Sequence, residues 1–93
     1  MKRELVFITV IGADRKGIVA AVSTCLYEQN INIVDINQRI MTDGYFVMTM
    51  LADVAESYIS MEELHTELEA IGKRLNMKIQ VQHENIFKMM HRI

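Results

Sequence analysis

Hydrophobic and polar positions divide the chain into six segments. Residues 4 to 11, Glu-Leu-Val-Phe-Ile-Thr-Val-Ile, are rich in β-branched and aromatic side chains and stop at Gly12, which predicts a strand apolar on both faces. From Asp14 the period changes. Ile18, Val22, Cys25 and Leu26 form one stripe at helical spacing, predicting a helix that ends near Asn30, with Asp14 placed to cap it. Residues 31 to 41 alternate Val34, Ile36 and Ile40 against Asp35, Asn37 and Arg39, a half-buried strand whose one irregularity is Gln38 on the apolar side. Asp43-Gly44 is a hairpin signal, and residues 45 to 54 follow as a third strand. Phe46, Met48, Met50 and Ala52 share one of its faces, and Val47, Thr49 and Leu51 the other. Ser60-Met61-Glu62-Glu63 is a capping box, after which Met61, Leu64, Leu68, Ile71 and Leu75 recur at helical spacing up to Asn76, a left-handed stop. Met77, Ile79 and Val81 then alternate with Lys78, Gln80 and Gln82 in a final strand, and residues 85 to 93 read as a short helix or a loose tail.

The order βαββαβ, with right-handed crossovers in each βαβ half, predicts an α+β ferredoxin-like sandwich: one four-stranded antiparallel sheet in the order 4-1-3-2, with two helices on one face. The apolar pattern supports that order independently, because strands one and three are apolar on both faces, as central strands are, while strands two and four alternate. Two helices cover only one face. Either Val6, Ile8 and Val10 or Leu5, Phe7 and Ile11 are then left facing water beside residues such as Val47 and Leu51, and a patch of that kind marks an interface. Self-association is the simplest way to cover it, with Ile86, Phe87, Met90 and Ile93 of the tail as a second source of cover.

Composition narrows the function classes. At 93 residues and 51% hydrophobic, the chain is expected to form one domain over 1–93, with a core over 4–83 and a tail over 84–93. No apolar run approaches the roughly 18 residues of a spanning helix, and no signal-peptide pattern follows Met1, so a soluble cytoplasmic protein without membrane partners is expected. Ten Lys plus Arg against twelve Asp plus Glu give a net charge of -2, which provides no excess to draw the chain to nucleic acid. The single Cys25 has no disulfide partner, and with three scattered histidines it makes no metal set. Nothing in the pattern asks for a cofactor.

Catalysis has no support in the residues. Ser23 falls in mid-helix one, His65 in mid-helix two, His83 at the end of strand four and His91 in the tail, so no nucleophile and base converge. Cys25 lies on the apolar stripe of helix one, where an inert core thiol is expected, and the eight methionines occupy core-like positions. The informative segment is Gly12-Ala13-Asp14-Arg15-Lys16-Gly17-Ile18, where a central strand turns into a helix. Amides at a helix start, a positive dipole end and the cations of Arg15 and Lys16 together suit a small carboxylate or phosphate. The same residues also suit a plain capped turn. In that reading Asp14 satisfies amides, Gly17 lets the helix approach the sheet closely, and the two basic side chains are solvated.

Asp14-Arg15-Lys16-Gly17-Ile18-Val19, with Asn32 fifteen residues after Gly17 in Asn30-Ile31-Asn32-Ile33, resembles the signature of the ACT domain, a small regulatory module of amino-acid metabolism. The resemblance covers residues 4 to 83 and is closest to stand-alone single-domain members, similar in part to the two-domain glycine-cleavage regulators. It implies a homodimer, or a higher oligomer, that binds a small amino acid or other small carboxylate between two domains. In ligand-binding relatives the positions matching Asp14 and the backbone around Gly17, taken here as Asp14, Arg15, Lys16, Gly17 and Ile18, contact the ligand from one subunit, and the position matching Asn32 reaches it from the other. With no catalytic domain attached, the signal would pass to a separate, unidentified protein. Three rivals share the topology. An acylphosphatase-like enzyme would use Arg15, but Asp14 inside the turn would repel an acyl phosphate. An RNA-binding module would need stacking aromatics and basic residues that Asp43-Gly44-Tyr45-Phe46 does not supply. The third is a dimerisation or interaction domain with no ligand.

Overall fold

The computed structural model describes residues 2–84, in the order β1 (Leu5–Ala13), α1 (Ile18–Glu28), β2 (Asn32–Ile40), β3 (Tyr45–Asp53), α2 (Met61–Leu75) and β4 (Met77–His83). The expected tail, with Ile86, Phe87, Met90, His91 and Ile93, lies outside the described residues. The sheet order is β2-β3-β1-β4, every pair antiparallel, which is the ferredoxin-like arrangement expected from the pattern. Both two-faced strands are central, since a strand flanked on both sides and covered by helices buries the most apolar surface.

The core lies between the sheet and the helices. Val6, Ile8 and Val10 of β1 and Phe46, Met48, Met50 and Ala52 of β3 are buried against Ile18, Val22, Cys25 and Leu26 of α1 and Leu64, Leu68, Ile71 and Leu75 of α2. Each fully buried aliphatic side chain contributes about 1.5–3 kcal/mol. α2 is closed at both ends as its sequence predicts. The Glu63 N–H donates to Ser60 Oγ at 3.1 Å, the Ser60 N–H donates to Glu63 Oε1 at 3.0 Å, and Asn76 takes φ 57°.

Three local expectations are corrected. β1 runs through Gly12 to Ala13 instead of stopping at Ile11, because Gly12 pairs with both Phe46 and Met77. A Cβ at Gly12 would meet Met77 Sδ and stand 3.1 Å from the Asn76 carbonyl oxygen, so Gly12 is where the backbones approach closely. Gly17, expected to serve that purpose, has open space around its would-be Cβ; its φ of +89° is what calls for glycine. The third correction concerns β2. Ile33 lies opposite Ala52 and Ile36 opposite Met50, with a bulge between Ile33 and Asp35 that places both isoleucines on the helix side. The predicted alternation through Val34 therefore fails at the start of the strand. Gln38, opposite buried Met48, shares the helix side with Ile36 and Ile40, and the last two remain 42% and 58% exposed on an edge that the helices do not fully cover.

The other face of the sheet carries no described helix or strand. Across the order β2, β3, β1, β4, its middle rows are Asp35, Leu51, Phe7 and Gln82, then Asn37, Thr49, Thr9 and Gln80, then Arg39, Val47, Ile11 and Lys78. An apolar centre thus runs between two polar margins. Of the two faces that could have lacked a described helix, it is the one bearing Leu5, Phe7 and Ile11.

Candidate functional site

Residues 14 to 17 carry the chain from the centre of the sheet into α1, and two contacts fix this turn. The Asp14 N–H donates to the Gly44 carbonyl in the β2–β3 hairpin at 3.0 Å, and the Arg15 guanidinium donates to the Leu75 carbonyl at the end of α2 at 3.4 Å. A helix C-terminus carries unsatisfied carbonyls and a negative dipole end, so a cation is favoured there. Gly17 is the N-cap of α1, with φ 89° and ψ 1°, and no side chain caps the helix. The expectation that Asp14 caps it is therefore corrected: its backbone N–H goes to the hairpin, and the N-cap, Gly17, stands three residues beyond it. The Gly17 carbonyl accepts from the Ala21 N–H at 2.9 Å, which closes the first helical turn. The N–H groups of Ile18, Val19 and Ala20 precede any that the helix itself satisfies. The anion-attracting amides thus sit at 18 to 20, shifted toward the helix from the expected 15 to 18. Asp14, Arg15, Lys16 and Gly17 are exposed, and Ile18 is buried as the first core residue of α1.

Asn32 lies elsewhere. It opens β2 beyond the C-terminal end of α1, and eleven helical residues, about 16 Å of rise, separate that end from Gly17. One copy of the chain therefore brings Asp14 to Ile18 together and leaves Asn32 at the far end. Asn32 pairs with Asp53, whose Oδ1 accepts the Ala55 N–H at 3.0 Å and the Glu4 N–H at 3.1 Å, with Arg3 Nε 4.0 Å from Oδ2. Those two amides, and more weakly Arg3, hold the Asp53 carboxyl below the usual range. Asn32 and Asp53 line a hollow of about 430 Å³ with Arg3, Tyr27, Asn30 and Glu56, and none of residues 14 to 18 reaches it. Sequence reasoning passed over Asp53 and the Arg15 contact. An Asp that closes a strand, two residues before a turn amide, is a recognisable turn former. The Leu75 carbonyl gives no sequence signal at all.

A sequence model of the ACT domain matches residues 4–82. The chain belongs to the ACT domain family. A UPF0237 protein of Methanococcus maripaludis is 51% identical over 90 residues, covering 97% of this chain and 99% of its own, and one of Methanocaldococcus jannaschii is 50% identical over 88 residues, covering 95% and 97%. Among solved structures, an ACT domain protein from Streptococcus pneumoniae superposes with TM-score 0.80 at 39% identity, over 94% of this chain and 97% of that one. A putative glycine cleavage system transcriptional repressor shares the fold at TM-score 0.76 and 22% identity, with this chain spanning 47% of its length.

The remaining chemistry-bearing side chains of this ACT chain are dispersed. Cys25 is buried, and its Sγ donates to Glu67 Oε1 at 3.7 Å. Burial, reinforced by the Glu67 carboxylate, pushes the thiol up to about 11, so it stays protonated and packs as a small apolar group. His65 is exposed on α2, while His83 ends β4, 3.9 Å from Glu4 Oε2. Among the described residues no group of three or more His, Cys, Asp or Glu side chains stands close enough to hold a metal, and no helix is long and apolar enough to cross a membrane.

Proposed function

We propose that the whole chain, residues 1–93, works as one cytoplasmic ACT module that senses a small amino acid or other small carboxylate between two copies and passes the signal to a separate protein. The ligand carboxylate sits at the start of α1, on the amides of Ile18, Val19 and Ala20, with Lys16 beside it. Asp14, not engaged as a helix cap, faces the ammonium, and Asn32 arrives from the second copy. Arg15 holds the turn against α2. The observation that carries this reading is the start of α1, which no side chain caps, with an exposed carboxylate three residues before its N-cap Gly17. The roughly 16 Å between that point and Asn32 supports the need for a second copy. A thermal-shift screen of the twenty amino acids tests it: a ligand at 100 times its Kd adds about 2.7 kcal/mol of stability, a rise of several degrees. Asp14→Ala and Asn32→Ala should each abolish the rise. If no amino acid moves the transition at millimolar concentration, the module is a ligand-free interaction domain. If one does and both variants keep the rise, the ligand sits elsewhere.

A further inference from the structure

The hollow beside Asn32 is lined by a cation that the fold holds in place but does not use up. Arg3 stands just before β1 and leans on Asp53 at the end of β3, with Nε 4.0 Å from Oδ2. Asp53 is itself anchored on backbone: its Oδ1 accepts the N–H groups of Glu4 and Ala55, so two amides meet its charge first and Arg3 only after them. Among the described residues Asp53 is the one ion-pair partner of Arg3, and it faces Nε, so the fork of two terminal guanidinium nitrogens remains for a ligand. The other charged side chains lining the hollow, Lys2 and Glu56, are exposed and opposite in sign, and they offset one another. At about 430 Å³ the hollow has room for a short side chain.

We propose that the ligand of this ACT module is an acidic amino acid, whose side-chain carboxylate is taken by Arg3 in the hollow of the second copy. The inference rests on the reading that Asn32 reaches the ligand from that copy: the residues around Asn32 then meet what the ligand carries beyond its α-carbon, while its α-carboxylate and ammonium stay with the start of α1 and Asp14. Arg3 is thereby the residue that sets specificity, and Asp53 a positioning residue that acts through it. A planar pair of N–H donors matches a carboxylate, which accepts both, better than a carboxamide, which offers one acceptor and no charge. Aspartate and glutamate have nearly the shapes of asparagine and glutamine, so the fork separates acid from amide by charge and hydrogen bonding alone. A discrimination of about 10-fold or more in Kd follows.

Titration calorimetry of the full chain with aspartate, glutamate, asparagine and glutamine tests it. One of the acids should bind about 10-fold or more tightly than its own amide. Arg3→Gln, at an exposed site that does not endanger folding, should bring that acid down to the level of its amide and leave the amide unchanged, and Arg3→Lys, which keeps the charge but not the fork, should fall between. A loss of fold would instead weaken acid and amide alike. Acid and amide bound equally, equal weakening of both by Arg3→Gln, or binding of lysine in preference to glutamate, which would hand the hollow to Glu56, each overturn the proposal and leave the two-copy reading standing. No binding of either acid at millimolar concentration overturns it too, and a response to any other amino acid in the thermal-shift screen still preserves that reading. An acid whose binding is lost in Arg3→Gln but kept in Asp14→Ala supports Arg3 as the carboxylate's partner and overturns the two-copy reading alone.

Discussion

Replacing Gly17 separates two explanations for a glycine at the start of α1. The residue has φ 89° and ψ 1°, in the left-handed region, and a Cβ built on it meets nothing within 4 Å. Its substitution cost is therefore conformational. Left-handed backbone costs an L-residue about 1–2 kcal/mol, less for asparagine, whose short amide tolerates that region, and more for a β-branched side chain. Gly17→Asn should therefore destabilise least, Gly17→Ala more, by about 1–2 kcal/mol, and Gly17→Val most, by about 2–3 kcal/mol. In a domain of this size each kcal/mol lowers Tm by about 4–8 °C, so Gly17→Ala should melt about 4–16 °C below wild type. Thermal unfolding by circular dichroism, repeated in urea to give free energies, measures all three. If Gly17→Asn is as damaging as Gly17→Val, side-chain volume governs the site and the left-handed backbone is not the reason for the glycine. Equal stability of all three with wild type would refute any special role for the position.

Two further predictions rest on the core. Gly72→Ala should destabilise the protein by about 1–3 kcal/mol in urea titrations even though alanine is the better helix former by about 1 kcal/mol, because its Cβ would stand 2.6 Å from the Met77 backbone oxygen; a gain in stability would show that β4 can move away from α2 at little cost. Cys25 should resist iodoacetamide in the folded protein at pH 8. Unfolding returns its thiol from about 11 to 9.0, so above pH 9 the unfolded chain loses the proton first and stability falls by up to about 3 kcal/mol as pH approaches 11; a Cys25→Ala chain should lack that part of the decline, and an identical pH profile would refute it.

Much of this architecture was legible in the residues because it rests on local chemistry and on periodicity. The stripe of Ile18, Val22, Cys25 and Leu26, the reciprocal Ser60–Glu63 cap and the left-handed Asn76 each act within a few residues, and a strand apolar on both faces has a favourable place only at the centre of a covered sheet. The signature from Asp14 to Val19 likewise marked the turn between β1 and α1. What the sequence could not determine depends on partners distant along the chain. Gly12 and Gly17 look alike in sequence, but one is pressed against Met77 and the other stands in open space at positive φ, so they need glycine for different reasons. Arg15 reads as a free cation until the fold places the Leu75 carbonyl beside it, and Asp14 reads as a cap until the fold makes Gly17 the N-cap and starts the helix at Ile18. The bulge between Ile33 and Asp35 resets which β2 side chains face the helices, because a period of two leaves no trace of an inserted residue until the partner strand fixes the register. Only that register sets Asp35 beside Leu51 and Arg39 beside Val47, a relation between strands that no single stretch of sequence contains.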